Sequence, residues 1–331
     1  MTAKFKVRNL RMNNSIKQVL ELYNIDDKNI YLDFSSMRMV RGSGMLILTA
    51  TIENMRRNGY NFFCNGDAKC FNEHDACSYA MHVGFFNSLG FNIGKKVGEA
   101  HGSNTYVPIK RITIQDLYAV DFSEYHNGIR KYSEDLSNVL SADMENFKPV
   151  FEYLITEIIR NTFEHTTADH VWITAQRHNL EGTIEVVIAD NAEGVKQAIT
   201  VNPELRGIAD DLEALKYAIR PGISGTAYRQ KSDNYWNNSG YGLYVTSEIL
   251  RHIGSFYILS GTAMLEIRNG KLEFEKDVKY KGTAVVLEVS IDKAKRIDKN
   301  IIAKIVGEGE KIASKDSASI KYASKASRMY L

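Results

Sequence analysis

Apolar positions along the chain change period several times, and each change marks an element. Residues 30–34 (Ile-Tyr-Leu-Asp-Phe) form a short apolar run with an acidic residue near its end and read as a buried strand. A glycine-containing loop follows at 40–44. From 45 to 57 the apolar residues Leu46, Ile47, Ala50 and Met55 recur at helical spacing. Gly59 suits the end of that helix, because glycine adopts a positive φ without a steric penalty. Residues 60–64 read as the next strand, and 75–89, closed by Gly90, as the next helix. This βαβα rhythm predicts a small α/β domain over residues 1–112.

Residues 113–165 carry a mostly helical pattern. Within them the polar stretch 133–147 reads as a connection between helices, and 113–144 as a helical connector. Pro149 stands where a helix tolerates proline, in its first turn. Phe151, Leu154, Ile155, Ile158, Ile159 and Thr162 then supply one core-facing stripe. Strands are predicted at 171–176 and 183–189, a helix at 242–253, and strands at 255–260, 264–268, 271–274 and 283–290. Residues 196–238 between them are long and turn-rich, with two short helical stretches. A second α/β domain over 145–292 accounts for this pattern, followed by a tail, 293–331, rich in Lys, Ser and Ala. No internal repeat is visible.

Composition changes this picture little. The chain has 331 residues, 44% hydrophobic and 25% charged, which suffices for two ordinary globular cores. No window approaches 18 consecutive apolar residues, and residues 1–13 lack an apolar leader core, so neither a membrane helix nor a secretory signal is expected. Three cysteines, Cys64, Cys70 and Cys77, fit a reducing cytoplasm better than a disulfide scaffold. Charge is unevenly placed. Residues 293–331 hold ten Lys/Arg against four Asp/Glu, whereas the rest carries 32 against 36. A basic tail permits nucleic-acid contact. It lacks interleaved aromatics beyond Tyr322 and Tyr330, so a solvated or partner-binding tail is the favoured reading.

Candidate chemistry lies in separated segments. Glu157, Asn161 and His165 stand at i, i+4 and i+8 and share one helix face. An amide oxygen can ligate Mg²⁺, which prefers oxygen. A carboxylate one turn away can orient or deprotonate an attacking hydroxyl. Taken alone, the same three residues read more plainly as an exposed polar stripe. An apolar strand delivers Asp190 to its C-terminal end, and Gly194 follows in a turn. An aspartate there can accept the exocyclic amine of adenine; a strand ending in an Asx turn is the plainer reading. Gly240 and Gly242, with Leu243, open a helix whose backbone N–H groups suit phosphate. Gly282 and Thr283 enter an alternating strand, where Thr283 can hold Asp190 or a water beside a base.

Together these residues resemble the GHKL superfamily of gyrase, the ninety-kilodalton heat-shock chaperones, sensor histidine kinases and MutL. The N-box resembles 157–161, the first glycine box 190–194, the second 240–243, and the late Gly-Thr pair Gly282 and Thr283. The resemblance covers 145–292. It implies a Bergerat α/β sandwich with helices on one face of a mixed sheet, and ATP with Mg²⁺ under a flexible lid at 196–238, which contains Tyr228 and whose cations Arg220, Arg229 and Lys231 are candidate contacts of the γ-phosphate, an ordinary solvated loop being an equally good reading for any one of them. Glu157 is implied as the catalytic base, Asn161 as the Mg²⁺ ligand, and Asp190, Gly194, Gly240, Gly242, Leu243 and Thr283 as the nucleotide contacts. One position departs: Ala192 stands where the family has the first glycine of Asp-x-Gly-x-Gly.

Residues 5–112 resemble STAS domains, the anti-sigma-factor antagonists, through residues 31–34, Gly42-Ser43-Gly44, the helix to Arg57 and the strand to Cys64. Gly42 occupies the usual phosphoacceptor place and Arg41 that of the preceding aspartate, which speaks against a phosphoserine switch. His126 is the nearest candidate for a histidine-kinase phosphoacceptor, but it lacks that family's surroundings and Gly128 follows it. Cys64, Cys70, His74 and Cys77 are zinc-competent residue types at an uncommon spacing, and core or loop cysteines are the plainer reading. The expectation is thus an intracellular ATPase or nucleotide switch, with a serine/threonine kinase or a non-hydrolysing ATP-binding scaffold as alternatives. A protein partner or a second protomer would receive the signal.

Overall fold

A computed structural model of the chain describes residues 2–65, 75–121, 124–141, 143–225 and 239–324, with the backbone alone at position 165. Two sheets organise it. The first is a parallel sheet of β1 (Ala3–Lys6), β2 (Asn29–Asp33) and β3 (Asn61–Phe63), in that spatial order. Their connections contain α1 (Met12–Tyr23) and α2 (Gly42–Arg57). Parallel neighbours taken in sequence order, joined by right-handed crossovers, put both helices on one face. Phe5, Ile30, Leu32 and Phe62 are buried on that face, while Lys4, Asn61 and Phe63 alternate away from it. Helices α3 (Asp75–His82) and α4 (Phe85–Ser88) complete this part, with Phe85 and Phe86 meeting Phe34 edge to face.

The second sheet is antiparallel in every described pairing, rather than mixed as expected. Its order is β4-β5-β6-β8-β7, from β4 (Tyr106–Thr113), β5 (His170–His178), β6 (Thr183–Ala189), β7 (Gly254–Arg268) and β8 (Lys271–Ser290). Strand β4 lies ahead of the expected 112/113 boundary. It tolerates Pro108 because it is an edge strand and its register shifts there. The four strands predicted over 255–290 are two long ones: the breaks read at Gly261 and beyond are β-bulges within β7–β8. Asn269 and Gly270, both at positive φ, close that hairpin.

Helices α5 (Ile114–Val120), α6 (Tyr125–Leu140), α7 (Lys148–His165) and α10 (Gly242–Ile253) lie on one side of this sheet's core, with α8 (Val195–Ile199) and α9 (Asp211–Ala218) between β6 and α10 in the chain. Residues 133–140, expected as part of a connection, belong to α6. Its polar Ser133 and Ser137 are buried because their hydroxyls donate to the carbonyls of Ile129 and Lys148.

The opposite face of the second sheet is covered by the first part of the chain. Along β6, Ile184, Val186 and Ile188 join the α7 side, whereas Val187 and Ala189 join the core that contains α1 and α2. The α1–α2 layer is therefore shared between two sheets. This explains why α2 is buried continuously from Gly42 to Ile52 and shows no clean polar face. Each of Leu46, Ile47, Leu48 and Ile52 contributes roughly 1.5–3 kcal/mol by full burial. The basic tail also packs. Helices α11 (Ile291–Ala294) and α12 (Ile301–Ala313) follow β8, and α12 buries Ile302, Ile305, Val306 and Ala313 next to α10. Among the described residues no helix is long and apolar enough to cross a membrane.

Candidate functional site

Strand β6 ends at Ala189 and hands the chain to Asp190, which is 1% exposed. One carboxylate oxygen, Oδ1, accepts the N–H of Ala192 at 2.9 Å and of Thr283 at 3.2 Å. Both bonds fall on Oδ1, so Oδ2 remains for a donor in the cleft that Asp190 lines. Burial pushes the Asp190 carboxyl up to about 6, against the two backbone hydrogen bonds. Thr283 thus holds Asp190 through its backbone N–H. Ala192 fits without strain, since among the described non-glycine residues only Asn269 and Asp277 have positive φ.

Gly194 and Gly282 sit where the backbones crowd. Gly194 has φ 91°, and a Cβ there would stand 2.7 Å from Ser260 Oγ; at Gly282, φ 97°, it would overlap the Asp190 carbonyl. Ser260 ties this corner together by accepting the N–H of Val195 at 2.9 Å and donating to the Gly282 carbonyl at 3.0 Å. Sequence reading missed Ser260; its one signal is its place before Gly261, where the β7 register shifts.

A cleft opens in front of Asp190; its empty space, with the open solvent at its mouth included, is about 710 Å³. Its walls are mainly apolar, from Ile158, Val195, Ile199, Ala218, Ile223, Leu243, Ile258 and Val285. Its polar groups are few: Asn161, Thr162, Thr166, Asp190, Ser224 and Thr283, with Gly194, Gly240 and Gly242 as backbone surfaces. Seven of the residues singled out from sequence, Asn161, Asp190, Gly194, Gly240, Gly242, Leu243 and Thr283, therefore line one cleft, although they span more than a hundred positions.

Glu157 stands apart from that lining. It is 2% exposed, accepts from Arg160 Nη2 at 3.0 Å, and lies behind Gly242, where a Cβ would overlap its Oε2. Burial pushes its carboxyl up, against the pull of Arg160. Arg160 is itself buried and reaches Glu164 at 3.6 Å, and Glu164 meets His126 at 3.0 Å. The Glu157 side of α7, read from sequence as a polar stripe, thus holds a buried ion network. His126 is part of it and stacks on Tyr125, so it is not presented as a phosphoacceptor.

Other candidates are placed as follows. Ser43 is 1% exposed, and its hydroxyl donates to Glu185 of β6 at 2.7 Å, so it is closed off at the junction of the two sheets. Cys77 is buried and Cys64 half-buried, while Cys70 and His74 lie outside the described residues; no cluster of metal-ligating side chains occurs among the described ones. Of the expected lid, residues 221–225 are buried against the cleft wall and Arg220 lies over the Tyr217 ring. Tyr228, Arg229 and Lys231 lie outside the described residues. The turn after Asp190 is also touched from the first part of the chain, where Arg57 Nη1 of α2 donates to Asn191 at 3.1 Å. Beside it, Glu53 accepts from Trp172 at 2.8 Å and lies 3.2 Å from His170.

Comparison with family models, with curated proteins and with solved structures yields no match for this chain.

Proposed function

We propose that the chain binds an adenine nucleotide with Mg²⁺ in the Asp190 cleft and acts as a nucleotide-dependent switch or ATPase of the GHKL type. One observation carries this reading: a buried carboxylate, a helix-borne amide and the N-terminus of a 12-residue helix converge on one mostly apolar cleft. Asp190 Oδ2 accepts the exocyclic amine of adenine, and the apolar walls take the faces of the base. The start of α10, at Gly242 and Leu243, offers backbone N–H groups to phosphate, with Gly240 allowing close approach. Asn161 is the described residue suited to hold Mg²⁺, which when bound would offset phosphate charge. The first part of the chain is read as STAS-like, a reading supported by its parallel sheet with α1 and α2 on one face. Contact of Arg57 with Asn191 gives that part a route to sense the turn that carries Asp190.

Glu157 is the residue we assign to activating water. Its ion pair with Arg160 behind Gly242 means that it reaches the cleft only if Arg160 releases it. The same observation favours a second reading, in which the nucleotide is held without turnover and the chain is an ATP-gated scaffold. Binding of Mg·ATP and phosphate release, measured on the parent, Glu157→Ala and Asp190→Asn, separate the two. Turnover in the parent, binding without turnover in Glu157→Ala, and loss of binding in Asp190→Asn support the ATPase. Binding without phosphate release in the parent supports the scaffold. A parent that binds no adenine nucleotide removes both.

A further inference from the structure

After α12 the chain doubles back across the wall of the cleft. Asn202, fully buried, donates its Nδ2 to the Ala318 carbonyl at 3.1 Å. The Ile320 N–H donates to the Gly222 carbonyl at 2.8 Å, and the Ser324 N–H to Ser239 Oγ at 2.9 Å. The Tyr241 hydroxyl is shared between the carbonyls of Ile320 at 3.2 Å and Lys321 at 3.0 Å. A sixth bond, from the Ala323 N–H to Glu310 Oε1 at 3.0 Å, ties the segment to α12. The fit is close: a Cβ on Gly222 would overlap the Ile320 carbonyl.

These contacts fall on both sides of the cleft's glycine wall. Gly222 precedes the lining residues Ile223 and Ser224, while Ser239 and Tyr241 flank Gly240. The two sides are joined directly, the Gly222 N–H donating to the Gly240 carbonyl at 3.2 Å. A surface tail would leave its backbone to water; here Ala318 and Ala323 are buried, and the carbonyls of Ala318, Ile320 and Lys321 are claimed by two side chains, those of Asn202 and Tyr241.

We infer that residues 318–324 are a positioning strap that fixes the glycine wall of the cleft, so that docking of the strap and occupancy of the cleft are thermodynamically coupled. The strap holds the backbone of 222–224 and 239–242 in one arrangement. A ligand needing that arrangement binds more tightly with the strap docked, and reciprocally tightens the strap. Only the part of the inference that names the ligand rests on the nucleotide reading above. Removal of the strap, by a partner that captures the C-terminal segment or by proteolysis, would then weaken the cleft without touching a residue that lines it.

Two arms test this. The first uses no ligand: hydrogen exchange of the segments 222–225 and 239–245 in the full chain, in a chain ending at Lys315, and in Tyr241→Phe. The strap predicts exchange about tenfold or more faster in the truncated chain, and a smaller change of the same sign in Tyr241→Phe. Retention of one cooperative thermal transition shows that the variants are folded. Exchange unchanged in both variants overturns the strap. The second arm is Mg·ADP binding to the same proteins, with affinity about tenfold weaker in the truncated chain and slower exchange of 318–324 when ADP is bound to the full chain. ADP bound equally by full and truncated chains overturns the coupling, whereas no ADP binding by the full chain sinks the nucleotide reading and leaves the first arm to decide the strap.

Discussion

Asp190 shows how one side chain can be both a cost and a recognition device. Its carboxyl is raised to about 6 by burial, so the folded chain favours the protonated form. That contribution to stability is complete below the ordinary aspartate range and is lost as pH rises through about 6. Ligand-free protein should therefore gain stability relative to Asp190→Asn as pH falls from 7 to 4, by on the order of 2–3 kcal/mol in parallel denaturant titrations. Glu185 follows the same sign. Burial raises its carboxyl, against the hydrogen bonds from Ser43, so Glu185→Gln is expected to melt higher than the parent at pH 8, with the difference closing towards pH 4.5. A melting difference that widened on acidification would contradict this account of the junction. Substitution at either of the two glycine-box positions should lose stability, for different reasons. Gly194→Ala forces a side chain into φ 91° and against Ser260, costing about 1–3 kcal/mol in chemical denaturation. Ala192→Gly relieves no strain and should lose up to ~1 kcal/mol through unfolded-state entropy.

At the scale of elements, α12 offers an internal control. Its two glycines differ only in what they face. Gly307 has nothing within 4 Å of an added Cβ, whereas at Gly309 that carbon would stand 2.6 Å from the Tyr244 ring and 3.1 Å from Pro221. Gly307→Ala should stabilise by about 0.5–1 kcal/mol through helix propensity. Gly309→Ala should destabilise by about 1–3 kcal/mol, because α12 must move off α10. Equal effects in thermal unfolding would mean that α12 does not pack as described. The elements most legible from sequence were those with one strong period, such as α7 and the strand leading to Asp190. Less legible were α6, whose serines look like a linker until their hydroxyls find carbonyls, and β1, which buries only Phe5 and so leaves almost no pattern. Helix α1 does carry a readable stripe, Ile16, Val19 and Leu22.

Across the whole molecule, the α1–α2 layer serves two sheets at once, and Glu53 and Arg57 of α2 reach His170, Trp172 and Asn191 on the far side. The two parts should not be separable. The full chain is expected to show one calorimetric transition, and separate fragments 1–105 and 106–331 to bind a hydrophobic dye strongly, each exposing a face the other covers. Two resolved transitions, with soluble, dye-free fragments, would show that the parts are independent.

The sequence by itself determined the local periods, the order of the glycine and carboxylate segments, and the backbone freedom at the glycine positions, because each depends on neighbours within a few positions or on a conformation that only glycine adopts freely. Tertiary structure alone decided three things. It put Glu157 behind Gly242 in an ion pair, it buried Ser43 against Glu185, and it folded the basic tail onto the cleft wall. Each of these depends on which surfaces meet, and residues such as Glu157 and Arg160, or Ile320 and Gly222, carry no mark in the chain of the partner that will desolvate them.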